Sequence, residues 1–311
     1  MPDIDIIISS VASGLLLGGM LALTALGLSI ILGVMRLVNL AHGGFLLVGA
    51  YAGYYLLHLT GIDPLLGLPV IAIIVGALAL PLYRLLLAPL AGRGAEAQMM
   101  TMFAVAIILE NLFVLAFSAD TRSIARDYAT WPVTLGGVSV PLIYLIGFGI
   151  SVVVIVMVNF LISRTMFGRD MRASATDPKA AEVLGIDVRR VQMLSFALGV
   201  ACTGIGGTLI GTAFQFGPSS GGSYLLNGLA IVVLGGLGNV FGTLIGGVTL
   251  GTLQSLGGLT FGDGYRDVVG MAVFLLVLTF RPDGFASRGG RCHSLECPQS
   301  RLNPPPNRPC R

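Results

Sequence analysis

Arg36, Asn39 and His42 fall within seven residues of the stretch GVMRLVNLAHGGFLLVGAYAGYY, and Gly43 and Gly44 follow at once. An amide and an imidazole can hydrogen-bond a small polar solute, and paired glycines let the backbone come close to it. A helix starting there would also offer free N–H groups, which favour an anion such as a carboxylate. The same grammar recurs later: Asn227-Gly228 opens one apolar stretch, and LGGLGNVFG brings Asn239 to its end. Two Gly-broken, Asn-bearing segments in the two halves of a chain point to a solute path at a repeat interface. For His42 alone, a buried packing role is the simpler alternative. A second polar pair, Glu110 and Asn111 in AIILENLF, lies inside another apolar run. Glu110 is about 18 Å along that run at 1.5 Å per residue, a depth where an ionisable group needs a partner or a task. Facing inward, it could hold a proton, pair with a cation or meet a substrate ammonium. Bonding to a neighbouring helix is the equal alternative.

The elements that must position these residues follow from composition. The chain has 311 residues, of which 55% are hydrophobic and 11% charged, and its mean hydropathy is +0.89. Soluble domains carry about 25% charged residues. So much apolar surface requires lipid, and the fold expected is an all-α polytopic transmembrane bundle. Runs of about 20 apolar residues suffice to span. Nine candidates appear, near 6–33, 40–58, 64–87, 98–117, 138–162, 192–213, 224–240, 242–257 and 267–280, with the seventh and eighth short and Gly-broken. The expected count is therefore eight to nine. The N-terminus MPDIDIIISS is acidic where a leader needs positive charge, so the first run reads as a retained span.

Arginines fix the orientation expected. Arg36, Arg84, Arg93, Arg164, Arg169, Arg172, Lys179, Arg189, Arg190 and Arg281 all fall on one side if the spans alternate. The other side receives a mixed or acidic set, including Asp63, Asp120 and Arg122. The positive-inside bias then places the N-terminus outside and the C-terminus in the cytoplasm. The 44 glycines suit close helix packing, and GLLLGG at 14–19 and GTLIGG at 242–247 carry small-xxx-small spacing.

The loop SRTMFGRDMRASATDPKAAEVLGIDVRRVQ carries its own signals. Asp177 is an N-cap and Pro178 suits the first helical position. Lys179, Ala180, Ala181, Glu182 and Leu184 continue a helix that Gly185 can end in the left-handed conformation. Two turns are marginal in water, so the membrane surface, the protein itself or a partner must hold them. Ala180 and Ala181 give a small-residue face, and Val183, Leu184 and Ile186 give apolar anchors. A plain solvated connector is the alternative.

Other chemistry is excluded by what the sequence lacks. Its single lysine follows Pro178, so there is no G-x-x-x-x-G-K phosphate loop. There is no Ser/His/Asp set, no HExxH and no paired carboxylate cluster. His42, His58 and His293 are too scattered for a metal centre, and no basic aromatic-interleaved stripe suggests nucleic acid. An enzyme, a resident cofactor and a metal are not expected.

Four motifs now stand in order: ALGLSIILGVMRLVNLAHGGFLLVGAY, GRDMRASATDPKAAEVLGIDVRRV, VVLGGLGNVFGTLIGG and LTFRPDGF. Over about residues 10–286 the chain resembles the permease subunits of ABC importers for branched-chain amino acids, of the first of two permease types. The resemblance implies a type II-like permease domain over 1–286, with a coupling loop near 163–191 that docks on a separate ATPase through Asp177–Gly185. It implies a second permease, two ATPase subunits that bind ATP, and a periplasmic solute-binding protein. The family pattern has Gln where this chain has Glu110, so urea, short amides or other amino acids stay open as solutes. So does an ATPase-independent transporter that uses Glu110. Residues 287–311 do not follow the family. They are rich in Arg, Pro and Cys without apolar period, and disorder is expected there. Cys202 reads as a small packing residue.

Overall fold

The computed structural model describes residues 4–124, 131–135 and 138–280. The expected tail at 287–311, with Cys292, His293, Cys297 and Cys310, lies outside the described residues, as does Arg281. Eleven helices and one hairpin follow in chain order. They are α1 (Ile4–Met35), α2 (His42–Thr60), α3 (Pro64–Leu82), α4 (Ala95–Phe117), β1 (Pro132–Leu135), β2 (Val138–Pro141), α5 (Leu142–Arg164), α6 (Met166–Thr176) and α7 (Pro178–Val183). Then come α8 (Val188–Ala213), α9 (Gly221–Gly235), α10 (Val240–Phe261) and α11 (Arg266–Phe280). The protein is an all-α polytopic bundle.

Six stretches are long and apolar enough to cross a bilayer: α1, α3 with its extension to Leu90, α4, α5, α8 and α10. Of the other three spans expected, α2 has 19 residues while α9 and α11 have 15 each. The fifteen residues of α9 rise about 22 Å, short of the roughly 30 Å hydrocarbon core, while α11 runs to Phe280, the last described residue. The seventh span, placed at 224–240, instead starts at Gly221 and stops at Gly235, and the eighth runs to Phe261 rather than residue 257.

The centre of the bundle is α1, buried over 83% of its apolar stretch, against 17% for α4 at the edge. Glycine makes that position possible. A methyl group at Gly14 would stand 2.8 Å from the Gly251 carbonyl oxygen, and one at Gly247 would stand 2.6 Å from that of Gly18. The two small-residue stripes, GLLLGG and GTLIGG, thus pack α1 directly on α10, backbone to backbone. On another face of α1, Gly27 meets Gly199 of α8 in the same way. Cys202 is buried in this packing, as expected.

Two local structures differ from the sequence reading. Residues 138–141 pair antiparallel with 132–135 in register Pro132↔Pro141, and α5 begins only at Leu142. Alternating Val and Ser suit a strand, and extended Pro141 (ψ 133°) stands just before the helix. The loop after α5 holds two helices rather than one. Thr165 caps α6 by accepting from the Gly168 N–H at 3.2 Å. A hydroxyl residue before a helix start is an N-cap signal that the sequence reading passed over. The basic residues Arg36, Arg84, Arg164, Arg172 and Arg189 collect at one end of the bundle, where Arg36 reaches α6 and the Arg84 Nε approaches Met193 Sδ.

Candidate functional site

The stretch that raised the question, residues 36–44, holds a break between two helices, 36–41, and the first turn of α2. It sits inside the protein. Asn39 is fully buried and His42 is 1% exposed. The Asn39 carbonyl accepts from the His42 N–H at 3.1 Å, and its side-chain oxygen accepts from the Ala41 N–H at 3.1 Å. That double acceptance turns the chain into α2. A methyl group at Gly228 would meet His42 Nε2 at 3.3 Å and Leu28 of α1 at 3.6 Å. His42 is therefore level with Leu28, about 10 Å inward from the end of α1 at Met35. Irregular backbone at such depth persists only when protein or a cavity covers it, and here protein does.

The glycines explain the tight cover. Gly43 lies against the Gly221 backbone at the start of α9, and Gly44 receives the Leu109 side chain of α4. Further along α2, the Gly49 carbonyl accepts from Thr208 Oγ1 of α8 at 2.9 Å. The start of α2 is thus sealed by α8 and α9, and its N–H groups do not open onto a free anion site. Within the seal, His42 Nδ1 lies 3.4 Å from Thr203 Oγ1. Asn39 Nδ2 and His42 Nε2 are buried with no hydrogen-bond partner among the described residues. Such groups cost about 1–3 kcal/mol each.

Asn227 and Asn239 part company. Asn239 caps α10, its side chain accepting from the Gly242 N–H at 3.1 Å and its carbonyl from the Thr243 N–H at 2.9 Å. That is a sufficient structural role. Asn227 lies in the middle of α9, not at a helix start, and its Oδ1 accepts from Gln254 Nε2 of α10 at 3.0 Å. The pair lines a cavity of about 600 Å³ at the end of the bundle opposite Arg36, Arg84 and Arg172. Leu17, Ile210 and Phe214 form an apolar wall, while Ser223, Tyr224 and Arg266 share the polar side. Gln254, Ser223 and Tyr224 escaped the sequence reading because polar residues spaced along an apolar helix show no pattern until the partner helix is placed. The volume and mixed lining suit a small amphipathic solute.

Glu110 and Asn111 stand apart from both places. Both are exposed on the outer face of α4, where the Asn111 amide donates to the Ile107 carbonyl of its own helix at 2.8 Å. An inward Glu110 is not what the fold provides: α2 takes Leu109 of α4, and Glu110 points elsewhere. Helix α4 is apolar on nearly every face, so its sequence does not say which side meets protein.

At the arginine-rich end, Asp177 accepts from the N–H groups of Lys179 at 3.0 Å and Ala180 at 3.1 Å. Gly185 takes φ 85°, the left-handed conformation expected of a helix terminator. Ala180, Lys179 and Glu182 are exposed, as are Val183 (88%) and Leu184 (79%). Ala181 is the correction. Grouped with Ala180 as a small-residue face, it is instead 2% exposed and anchors α7 on the body of the protein.

The family described as "Branched-chain amino acid transport system / permease component" matches residues 10–278. The permease BraD of the high-affinity branched-chain amino acid transport system of Pseudomonas aeruginosa is 30% identical over 303 residues, covering 93% of this chain and 98% of that one. The Methanocaldococcus jannaschii LivH, a probable branched-chain amino acid transport permease, is 30% identical over 85% of this chain and 88% of its own. The Escherichia coli LivM permease is 27% identical, with 83% of this chain and 66% of that one covered. Among solved structures, PsaBC from Streptococcus pneumoniae in complex with Fab aligns at TM-score 0.48 and 14% identity over 86% of this chain and 90% of that chain. A match to nearly the whole bundle, with its helix break and both Gly-broken segments inside it, shows that this chain belongs to the branched-chain amino acid transport permease family.

Proposed function

We propose that the chain is one permease of an ABC importer, that it passes branched-chain amino acids, and that separate ATPase subunits drive it through α7. The observation that carries the reading is the tip of α7. Val183 and Leu184 are exposed on a capped two-turn helix beyond the ends of the spans, at the arginine-rich and hence cytoplasmic end. Exposed apolar side chains within the membrane meet lipid, but a loop outside it needs a protein groove. Ala181, Asp177 and Gly185 hold the knob, and Val183 and Leu184 are what it presents. The complex then comprises this chain, a second permease, two ATPases that bind ATP, and an extracytoplasmic solute-binding protein. The inner membrane holds it, with the N-terminus outside. The half-apolar cavity at the outer end receives the solute through weak contacts, the binding protein having selected it.

Reconstituted complex in liposomes tests this. ATP-dependent leucine uptake is expected, with V183D/L184D abolishing ATPase association while the permease stays folded. Uptake of urea but not leucine would replace the solute class. Uptake by this chain alone, without nucleotide, would overturn the reading in favour of a transporter with no ATPase.

A further inference from the structure

We propose that Arg36 is a positioning residue, the tie that carries movement of the α6–α7 elbow to the buried start of α2. The inference rests on the ATPase-driven reading above. Arg36 follows the last turn of α1, its N–H donating to the Leu32 carbonyl at 3.0 Å. It has φ 53°, a left-handed conformation that costs a residue with a Cβ and suits glycine. Its guanidinium reaches across 139 residues of sequence. Nη2 donates to the Ala175 carbonyl at 2.9 Å and to the Thr176 carbonyl at 3.3 Å. These are terminal carbonyls of α6, which helical geometry leaves without intrahelical partners, and positive charge there is favoured.

The contact sits at a joint. Thr176 immediately precedes Asp177, the cap of α7, so whatever displaces α7 displaces the carbonyls that Arg36 holds. Helix α6 is itself fixed to the end of α5. Gly168 lies on the Ile162 backbone, and the Arg172 guanidinium donates to the Ile162 carbonyl. Elbow and α5 therefore move together, and Arg36 is their hydrogen-bonded link to the α1–α2 break.

The other side of the tie is poised to respond. Three residues after Arg36 comes Asn39, and six after it His42, each with one buried nitrogen unpaired among the described residues. A left-handed arginine and two unmet polar groups within seven residues describe a segment held away from its own best hydrogen bonding. It persists because Arg36 pins one end to α6 while Gly43 pins the other to α9. Moving the elbow changes the first pin. New partners for Asn39 and His42 then come within reach, and α2 shifts against α8 and α9. An arginine kept only for sidedness or lipid contact would need no left-handed backbone and no aim at α6.

The experiment separates backbone from side chain. Arg36→Gly relaxes the left-handed position and deletes the guanidinium; Arg36→Lys keeps the charge but not the planar fork. In the detergent-purified chain, R36G is expected to keep its thermal midpoint while amides of residues 179–186 exchange about tenfold faster. In the reconstituted complex, solute moved per ATP hydrolysed is expected to fall about tenfold in R36G and about threefold in R36K. R36G with wild-type exchange and a wild-type ratio would overturn the proposal. If R36G fails to insert, R36K decides: a wild-type ratio there overturns it, and a fall supports it. Should no ATPase assemble even with the wild-type chain, the importer reading fails, while the exchange arm still judges the tie.

Discussion

Two helix breaks lie side by side at the arginine-rich end and are built from the same residue types. Residues 36–41 join α1 to α2, and residues 236–239 join α9 to α10; Gly33, in the last turns of α1, meets Gly238 of the second break. Each ends in a helix whose approach is shaped by an asparagine. The second is relaxed. Its left-handed positions are glycines, Gly236 at φ 87° and Gly238 at φ 74°, and the Asn239 side chain meets the orphan Gly242 N–H of α10. The first is not. Its left-handed position is Arg36, and it leaves Asn39 Nδ2 and His42 Nε2 unpaired. A corner that only has to turn the chain is made with glycine and a cap. One that gives up about 1–3 kcal/mol per unmet group has something else to do. On the proposal above, the first break is the moving one and the second a fixed corner.

The largest effect is expected where the first break is pinned. Gly43→Val would drive a branched side chain into the Gly221 backbone, which cannot yield as a flexible side chain would. Loss of about 3 kcal/mol or more is expected, and with it most folded protein in membranes. Gly238→Ala, at the second break, should cost less, about 1–2 kcal/mol, for its left-handed backbone and a Cβ 3.2 Å from Gly33 Cα. Thermal unfolding of both variants in detergent measures the gap, and equal losses would break the contrast.

Next comes the unmet imidazole. His42→Leu keeps much of the volume and removes a buried polar group, so stability is expected to rise by about 1 kcal/mol. Transport should fall by at least about tenfold, because the group that exchanges partners is gone. A less stable His42→Leu with intact transport would show the first break to be as static as the second. Asn239→Ala reverses the pattern: about 1 kcal/mol lost from the cap, with solute moved per ATP unchanged.

Much of this fold was legible in the sequence, for definite reasons. Long apolar runs leave few alternatives in lipid, so α1, α3, α4, α5 and α8 stood out, while α10, read as short and Gly-broken, is a full 22-residue helix. The Asp177-Pro178 start and Gly185 stop of α7 are local signals that need no tertiary context. What stayed hidden depends on partners far along the chain. Nothing near Arg36 announces Ala175, and nothing near Asn227 announces Gln254. Ala181 could not be told from Ala180 until the body beneath α7 was in place. The seventh span was already legible as short and Gly-broken, but its register was not: α9 begins at Gly221 and ends at Gly235 because its limits depend on the glycines it packs against.

The smallest effect on stability is expected at Glu110, and it sharpens the comparison from outside. A carboxyl inside the bundle, wired into a break as His42 is, would resist neutral replacement. One on the open face of α4, as Glu110 is, has little to lose against the described residues. Glu110→Gln should therefore shift the stability of the isolated permease by no more than about 0.5 kcal/mol. Its depth argues against ordinary lipid exposure of a charge, so any functional role belongs to the outer face of α4. Uptake in liposomes distinguishes the cases. If Glu110→Gln leaves ATP-driven uptake in place, the moving parts are the elbow and the first break. If it abolishes proton-driven uptake by the chain alone, the carboxyl on the rim is the coupling group, and the buried break is packing after all.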